Sequence, residues 1–95
     1  MSDLDIQTLA TSLLSEVKVR LGEPEANDNE LKGYIVDTIN ELLNIGVTGD
    51  IVQSSASLGA ITKGVKDQWN YEDGHFTQDF YDRADRLRRK VITNG

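Results

Sequence analysis

The sequence lacks several features that would point to particular classes of protein. Its 95 residues include no cysteine, so a disulfide framework and a thiolate metal site are excluded, and a reducing compartment is favoured. No apolar run approaches the roughly 20 residues that a membrane-spanning helix requires. The first residues, MSDLDIQ, lack the basic and apolar regions of a signal peptide. We therefore expect a soluble intracellular protein with no membrane partner, folded as one domain over residues 1–95.

Basic residues are scarce in the first two thirds of the chain. Residues 1–62 hold ten acids against three bases, a net charge of −7, whereas residues 63–95 hold seven bases against six acids. The overall charge of −6 argues against nonspecific affinity for phosphates or for anionic membranes. Most bases of the second part lie in the run RADRLRRK, residues 83–90.

Apolar residues recur at helical spacing in four segments, which predicts an all-α fold: a small bundle of about four helices with short connections. Asn27 is the expected N-cap of the second helix and Thr77 that of the fourth. Gly22 and Gly46 are expected just beyond the first two helices. The segment VTGDIVQSS, which follows Gly46, is predicted to be an ordered loop or a short extended piece. The apolar stripes are Ile6, Leu9, Leu13, Val17 and Leu21; Leu31, Ile35, Ile39 and Leu42; Leu58, Ile61, Val65 and Trp69; and Phe80, Ala84, Leu87 and Val91.

Five of the six aromatic residues fall between Gln68 and Tyr81. Trp69 and Phe80 lie on the apolar stripes of adjacent helices, on either side of a tight turn, so we predict that they pack against each other. The other rings cannot all lie on those stripes. An aromatic residue at the edge of a small bundle either covers the core or anchors a partner, and Tyr71 and Tyr81 are candidates for both roles.

The sequence offers few candidates for catalytic or metal-binding residues. His75 is the only histidine and lies in a turn, where a solvated side chain is the ordinary case. Gly59 and Gly64 have the spacing of a phosphate-binding loop, but Val65 stands where that loop requires lysine. The acids of EDGHFTQD are not at the alternating positions of a calcium loop. We predict no enzymatic activity, no cofactor and no metal.

The basic run near the C-terminus has three possible explanations from its residues. Three acid–base pairs at i,i+4 spacing, each with the acid first, indicate a solvated face that pairs with itself. Arg88 and Lys90 have no acid four residues upstream, so they are the candidate bases for a protein partner, and nucleic-acid recognition is a further alternative. The three pairs are Asp79–Arg83, Asp82–Arg86 and Asp85–Arg89.

The stretch AITKGVKDQWNYEDGHFTQDFYDRADRLR, residues 60–88, resembles the C-terminal half of the small head–tail connector proteins of long-tailed bacteriophages, also called head-completion or adaptor proteins. In that family a helix ends in a Val-x-Asp-x-Trp pattern, and a short turn leads into an aromatic-led helix with a leucine further on. The segments LLSEVKVRLG and ELKGYIVDTINELLNIG are similar to the N-terminal half. The matching positions are Val65, Asp67 and Trp69, then Phe80, Tyr81 and Leu87.

The resemblance implies an all-helical structural subunit of the virion, without catalytic residues, that forms a homo-oligomeric ring, by resemblance a dodecamer, beneath the portal protein. Such a ring extends the DNA channel, lets DNA pass without sequence-specific binding, and gives a platform to a downstream stopper or tail-completion protein. It implies a location at the head–tail interface, and in the host cytoplasm during assembly. An acidic subunit suits this role, because a channel that neutralised phosphates would retain the DNA.

A subunit this small must use loops and the outer sides of its helices to contact its neighbours in a ring. Val47, Ile51 and Val52 are the apolar candidates for this contact. The same three residues could instead cover one end of the bundle, and the sequence leaves both roles open.

The alternative from another functional class is a small helix-turn-helix DNA-binding protein, with a packaging or regulatory role. This class requires a recognition helix whose bases and amides are not paired by acids. The predicted fourth helix instead carries Asp79, Asp82 and Asp85 among its arginines. Tight, salt-sensitive binding to duplex DNA would favour this alternative.

Overall fold

The computed structural model describes residues 5–23, 25–70 and 74–90, and in these ranges the chain is helical without any strand. The predicted small all-α bundle with short connections is confirmed. A 3-10 turn, Ser55–Ser57, directly precedes the fourth of the five helices. The helices are α1 (Ile6–Leu21), α2 (Asp28–Asn44), α3 (Gly49–Gln53), α4 (Leu58–Asn70) and α5 (Gln78–Arg88).

Polar side chains fix where α1, α2 and α5 begin. The side chains of Asp5, Asn27 and Thr77 each accept the backbone N–H three residues further on, at 3.1, 3.0 and 3.5 Å. The predicted N-caps of α2 and α5 are thereby confirmed. Beyond α1 and α2 the chain turns at Gly22 and Gly46, whose φ angles of 76° and 103° favour glycine.

The segment after α2 differs from its prediction. Residues 49–53 form the short helix α3 rather than a loop or an extended piece. The Thr48 hydroxyl accepts the Ile51 N–H at 3.4 Å, and Ile51 and Val52 are buried. Adjacent β-branched residues favour extended structure, but here the cap and the burial of both side chains outweigh that preference.

The core lies between α2 and the helices packed on it. α1 and α4 both pack against α2, and α5 packs against α4. α1 buries fewer side chains completely than α2 does, since most of its apolar stripe is only partly covered. The largest fully buried side chains come from every helix and include Val17, Leu31, Ile35, Ile39, Leu42, Val47, Val52, Ile61, Val65 and Phe80.

Gly64 is the point of close approach between α2 and α4. A Cβ atom added there would overlap Thr38 Cγ2 and would lie 2.9 Å from Phe80 Cε1. The absence of a side chain therefore lets α2 and the Phe80 ring pack against the same position on α4.

We predict that Gly64→Ala lowers the free energy of unfolding by about 1–3 kcal/mol, because the added methyl group overpacks a filled region. The matched control is Gly33→Ala in α2, where a Cβ would meet nothing within 4 Å. Alanine has the higher helix propensity, so the control should gain up to about 1 kcal/mol. Urea denaturation measures both changes, and equal midpoints for the two variants would contradict the packing described for Gly64.

Candidate functional site

A buried carboxylate holds the junction between α4 and α5. The Asp67 side chain is 2% exposed, and its Oδ2 accepts the Thr77 N–H at 2.9 Å and the Thr77 hydroxyl at 2.7 Å. Lys63, one turn earlier on α4, places Nζ 3.0 Å from Asp67 Oδ1. Because Thr77 is also the N-cap of α5, the aspartate of the Val-x-Asp-x-Trp pattern connects α4 directly to the first turn of α5.

The pKa of Asp67 lies below its ordinary value of 3.8. Burial by itself raises the pKa of a carboxyl group, but the hydrogen bonds from Thr77 and the nearby Lys63 ammonium together lower it further than burial raises it. The ionised carboxylate therefore stabilises the fold at pH values above the unfolded-state pKa. That contribution is lost as the pH falls through the lower, folded-state pKa.

We predict that Asp67→Asn lowers the free energy of unfolding at neutral pH by about 1–3 kcal/mol, since a neutral amide weakens the charge-assisted contacts with Thr77 and Lys63. The difference between wild type and variant should shrink once the pH drops below 3.8, the ordinary pKa of Asp67. Asp82→Asn, on the exposed face of α5, is the control and should change stability by no more than about 0.5 kcal/mol. A difference that stays constant down to about pH 2.5 would mean that the charge is not its cause.

A second buried polar group joins α4 to α2. Gln68 Nε2 donates to the Tyr34 carbonyl at 2.9 Å and to the Thr38 hydroxyl at 3.0 Å. The Thr38 hydroxyl donates to the same carbonyl at 2.8 Å. In the part of the chain that the structure describes, no buried side-chain nitrogen or oxygen lacks a hydrogen-bond partner. The apolar stripes did not predict this group, although Gln68 follows Ile61 by seven residues and so shares its side of α4.

The aromatic rings are paired differently from the prediction. Trp69 is only partly buried and meets Tyr34 edge-on, with ring centroids 6.4 Å apart. Phe80 is fully buried and stacks on Phe76 at 4.5 Å. Among the described residues, the rings of Trp69 and Phe80 do not form a pair. The prediction that these two side chains pack against each other is therefore wrong. The buried side of α4 at its C-terminal end is occupied by polar residues, and Trp69 lies beside them towards α2.

Four residues of the apolar stripes that are also matching positions of the resemblance are predicted to lie in the core, and they differ in burial. They are Val65, Trp69, Phe80 and Leu87. Val65 and Phe80 are completely buried and Leu87 is 4% exposed, so these three lie in the core. Trp69 packs against the edge of the core. Trp69→Ala should therefore lower the free energy of unfolding by less than Phe80→Ala does. For a buried ring such as Phe80, a loss of about 3–5 kcal/mol is typical.

Tyr81 covers the aromatic cluster and ties α5 to α2. Its hydroxyl donates to Glu41 Oε2 at 2.7 Å, and its ring meets Phe76 and Phe80 edge-on. The hydrogen bond to Glu41, together with burial, raises the pKa of Tyr81 to about 12. The side chain remains partly exposed, so a role in partner binding stays a prediction. Tyr71, the other candidate, lies outside the described residues.

The apolar candidates for contacts between subunits are not on the surface. Val47, Ile51 and Val52 are only 2%, 3% and 1% exposed. Formation of α3 turns Ile51 and Val52 inwards, and all three residues belong to the main core. The prediction that they bind a partner is therefore corrected: they belong to the core of the subunit.

Charges on α5 are largely paired within the helix. Two of the three predicted i,i+4 pairs are present, Asp79–Arg83 at 3.7 Å and Asp85–Arg89 at 2.6 Å. In the third, Asp82 instead accepts a hydrogen bond from Gln78 at 3.0 Å. This supports the interpretation of the basic run as a face that pairs mainly with itself.

Arg88 differs from its prediction as an unpaired base. Its Nη2 lies 2.6 Å from Asp85 Oδ1, at i,i+3 spacing, so Asp85 contacts two arginines at once. The prediction rests on i,i+4 spacing alone, but residues three apart are also neighbours on a helix, as Asp85 and Arg88 are. Lys90, just beyond α5, is exposed and has no ion pair within the described ranges.

Neither a metal centre nor a membrane-spanning helix is found in the described ranges. These residues contain no group of three or more His, Asp or Glu side chains that could hold a metal ion. No helix there has the length and apolar character needed to cross a membrane. His75 is exposed in the turn before α5. Comparisons with protein-family models, with curated proteins and with solved structures give no match for this chain.

Proposed function

We propose that this chain is a structural subunit of the head–tail connector of a long-tailed bacteriophage. In this proposal, copies of the chain form a ring beneath the portal, extend the DNA channel and give a platform to the stopper or tail-completion protein. The observation that carries the proposal is the resemblance of residues 60–88, with that of the two N-terminal segments. The contacts of Asp67 support it, because they give the aspartate of the shared pattern a physical reason: it connects α4 to the N-cap of α5.

The distribution of charge supports passage of DNA rather than its retention. The net charge of −6 repels phosphates, and residues 1–62 hold ten acids against three bases. Each phosphate that a protein neutralises adds salt-sensitive affinity, which would oppose movement of DNA through a channel. An acidic subunit whose arginines are mostly paired with its own aspartates avoids this affinity.

The C-terminal end of α5 is the proposed contact with the portal. Lys90 is exposed without an ion pair in the described part of the chain, and Arg88 shares its aspartate with Arg89. These bases therefore retain capacity for an acidic partner. Charged contacts at the rim of an interface chiefly change the association rate and its dependence on salt.

We predict that Arg88→Glu combined with Lys90→Glu slows association with purified portal rings, most visibly at low salt. The melting temperature should fall only slightly, because the lost ion pair between Arg88 and Asp85 is exposed. The matched control, Arg88→Lys combined with Lys90→Arg, preserves both charges and should bind as the wild type does. Biolayer interferometry at two salt concentrations measures the rates. Association that is unaltered by the double reversal would disprove the role of this surface.

The wider proposal is tested by negative-stain microscopy of the protein mixed with purified portal. A second ring of density beneath the portal is expected. A gel shift with duplex DNA at low salt tests the helix-turn-helix alternative. Tight, salt-sensitive DNA binding without portal association would contradict the connector proposal and favour that alternative.

A further inference from the structure

Four basic side chains line one groove on this acidic protein. Side chains from α1, α4 and α5 line a depression of about 360 Å³ on the outer side of α4. Four of its lining residues are bases, and the other two are small. The lining residues are Arg20, Gly59, Thr62, Lys63, Lys66 and Arg83.

Three of these bases already have an acid partner in the same chain. The pairs are Arg20–Glu16 at 3.3 Å, Lys63–Asp67 at 3.0 Å and Arg83–Asp79 at 3.7 Å. Lys66 is exposed and has no ion pair within the described residues. It is therefore the base of the groove that is available to a carboxylate from outside.

The outward face of α2 is acidic. Exposed residues repeat along it at intervals of three or four, and none of them is basic. Since α2 and α4 pack against each other through their buried sides, the outward face of α2 and the groove beside α4 point away from each other. The residues of this face are Glu30, Gly33, Asp37, Asn40 and Asn44.

Gly33, in the middle of this face, has no packing role within the described fold. A Cβ there would meet nothing within 4 Å, and its φ is not positive. An exposed glycine inside a helix costs about 1 kcal/mol relative to alanine. Glycine does permit close approach of another backbone, and Gly59 offers a second such position in the groove.

We propose that the groove binds the outward face of α2 of a second copy of this chain, with Lys66 against Asp37. A convex helix fits a concave groove, and opposite charges meet across the contact. Because the two faces lie on different sides of the subunit, the contact is head-to-tail and repeats from copy to copy, which generates a ring or an open chain. Closure into a ring rests on the proposed connector function, whereas the pairing of the two faces does not.

Disulfide trapping tests the pairing, since the chain contains no cysteine of its own. Lys66→Cys combined with Asp37→Cys should give, on mild oxidation, a ladder of linked dimers, trimers and larger species. The control combines Arg86→Cys with Asp37→Cys and places one thiol on the exposed face of α5, outside the groove. The paired variant should cross-link at least about tenfold faster, because a formed contact raises the effective concentration of its thiols. Equal rates, or no ladder, overturn the proposal.

Charge reversal tests the same contact without thiols. Lys66→Glu alone and Asp37→Lys alone should each weaken self-association about tenfold or more, because like charges then meet across the contact. A mixture of the two variants should restore it, because every contact then joins opposite charges again. Arg86→Glu changes the net charge as much as Lys66→Glu and should have no effect. Sedimentation velocity over a range of concentrations measures the self-association of each sample. A wild type that does not self-associate, or a mixture whose self-association is no stronger than that of either variant, overturns the proposal.

Two further results separate this inference from the connector proposal and from DNA binding. A cross-linked ladder without portal binding would support the contact between copies and reject the connector function. Portal binding without a ladder would support the connector function and reject the contact. Duplex DNA that binds the wild type and is released by Lys66→Glu would assign the groove to phosphates and overturn the contact between copies.

Discussion

The hydrogen bonds that Asp67 accepts from Thr77 set the position at which the chain enters α5. α5 has only 11 residues and buries three of them, Phe80, Ala84 and Leu87. Isolated helices of this length are marginal in water, so α5 depends on the contacts at its first turn. The carboxylate provides them, while Gly64 leaves the space into which the Phe80 ring packs.

Two of the three proposed surfaces depend on this junction. Arg83 of α5 completes the basic groove beside α4, and Lys90 follows the other end of the same helix. A change in the angle between α4 and α5 would therefore move the groove and the basic end together. Tyr81 limits such movement, because its hydrogen bond to Glu41 holds α5 to α2. The acidic outward face of α2 does not depend on α5 in this way.

Hydrophobic periodicity and capping residues were sufficient to predict the all-α bundle and the N-caps at Asn27 and Thr77. They could not predict α3, because an N-cap and burial there override β-branched side chains. A stripe indicates which side of a helix is buried but not which rings meet, so it does not assign Trp69 to Tyr34 rather than to Phe80. The i,i+4 pattern likewise does not include the i,i+3 contact of Arg88 with Asp85. The proposed function rests on a resemblance of motifs rather than on the contacts within one subunit.

The α4–α5 junction depends on a buried carboxylate, that of Asp67, being ionised. NMR titration of the Asp67 carboxyl carbon measures this ionisation directly, because the chemical shift reports the protonation of that group alone. Burial opposes ionisation, whereas Thr77 and Lys63 favour it, so the result depends on whether their contacts form in solution. We predict a pKa below the ordinary value of 3.8. A pKa at or above that value would contradict the account, since the carboxylate could not then be held as described.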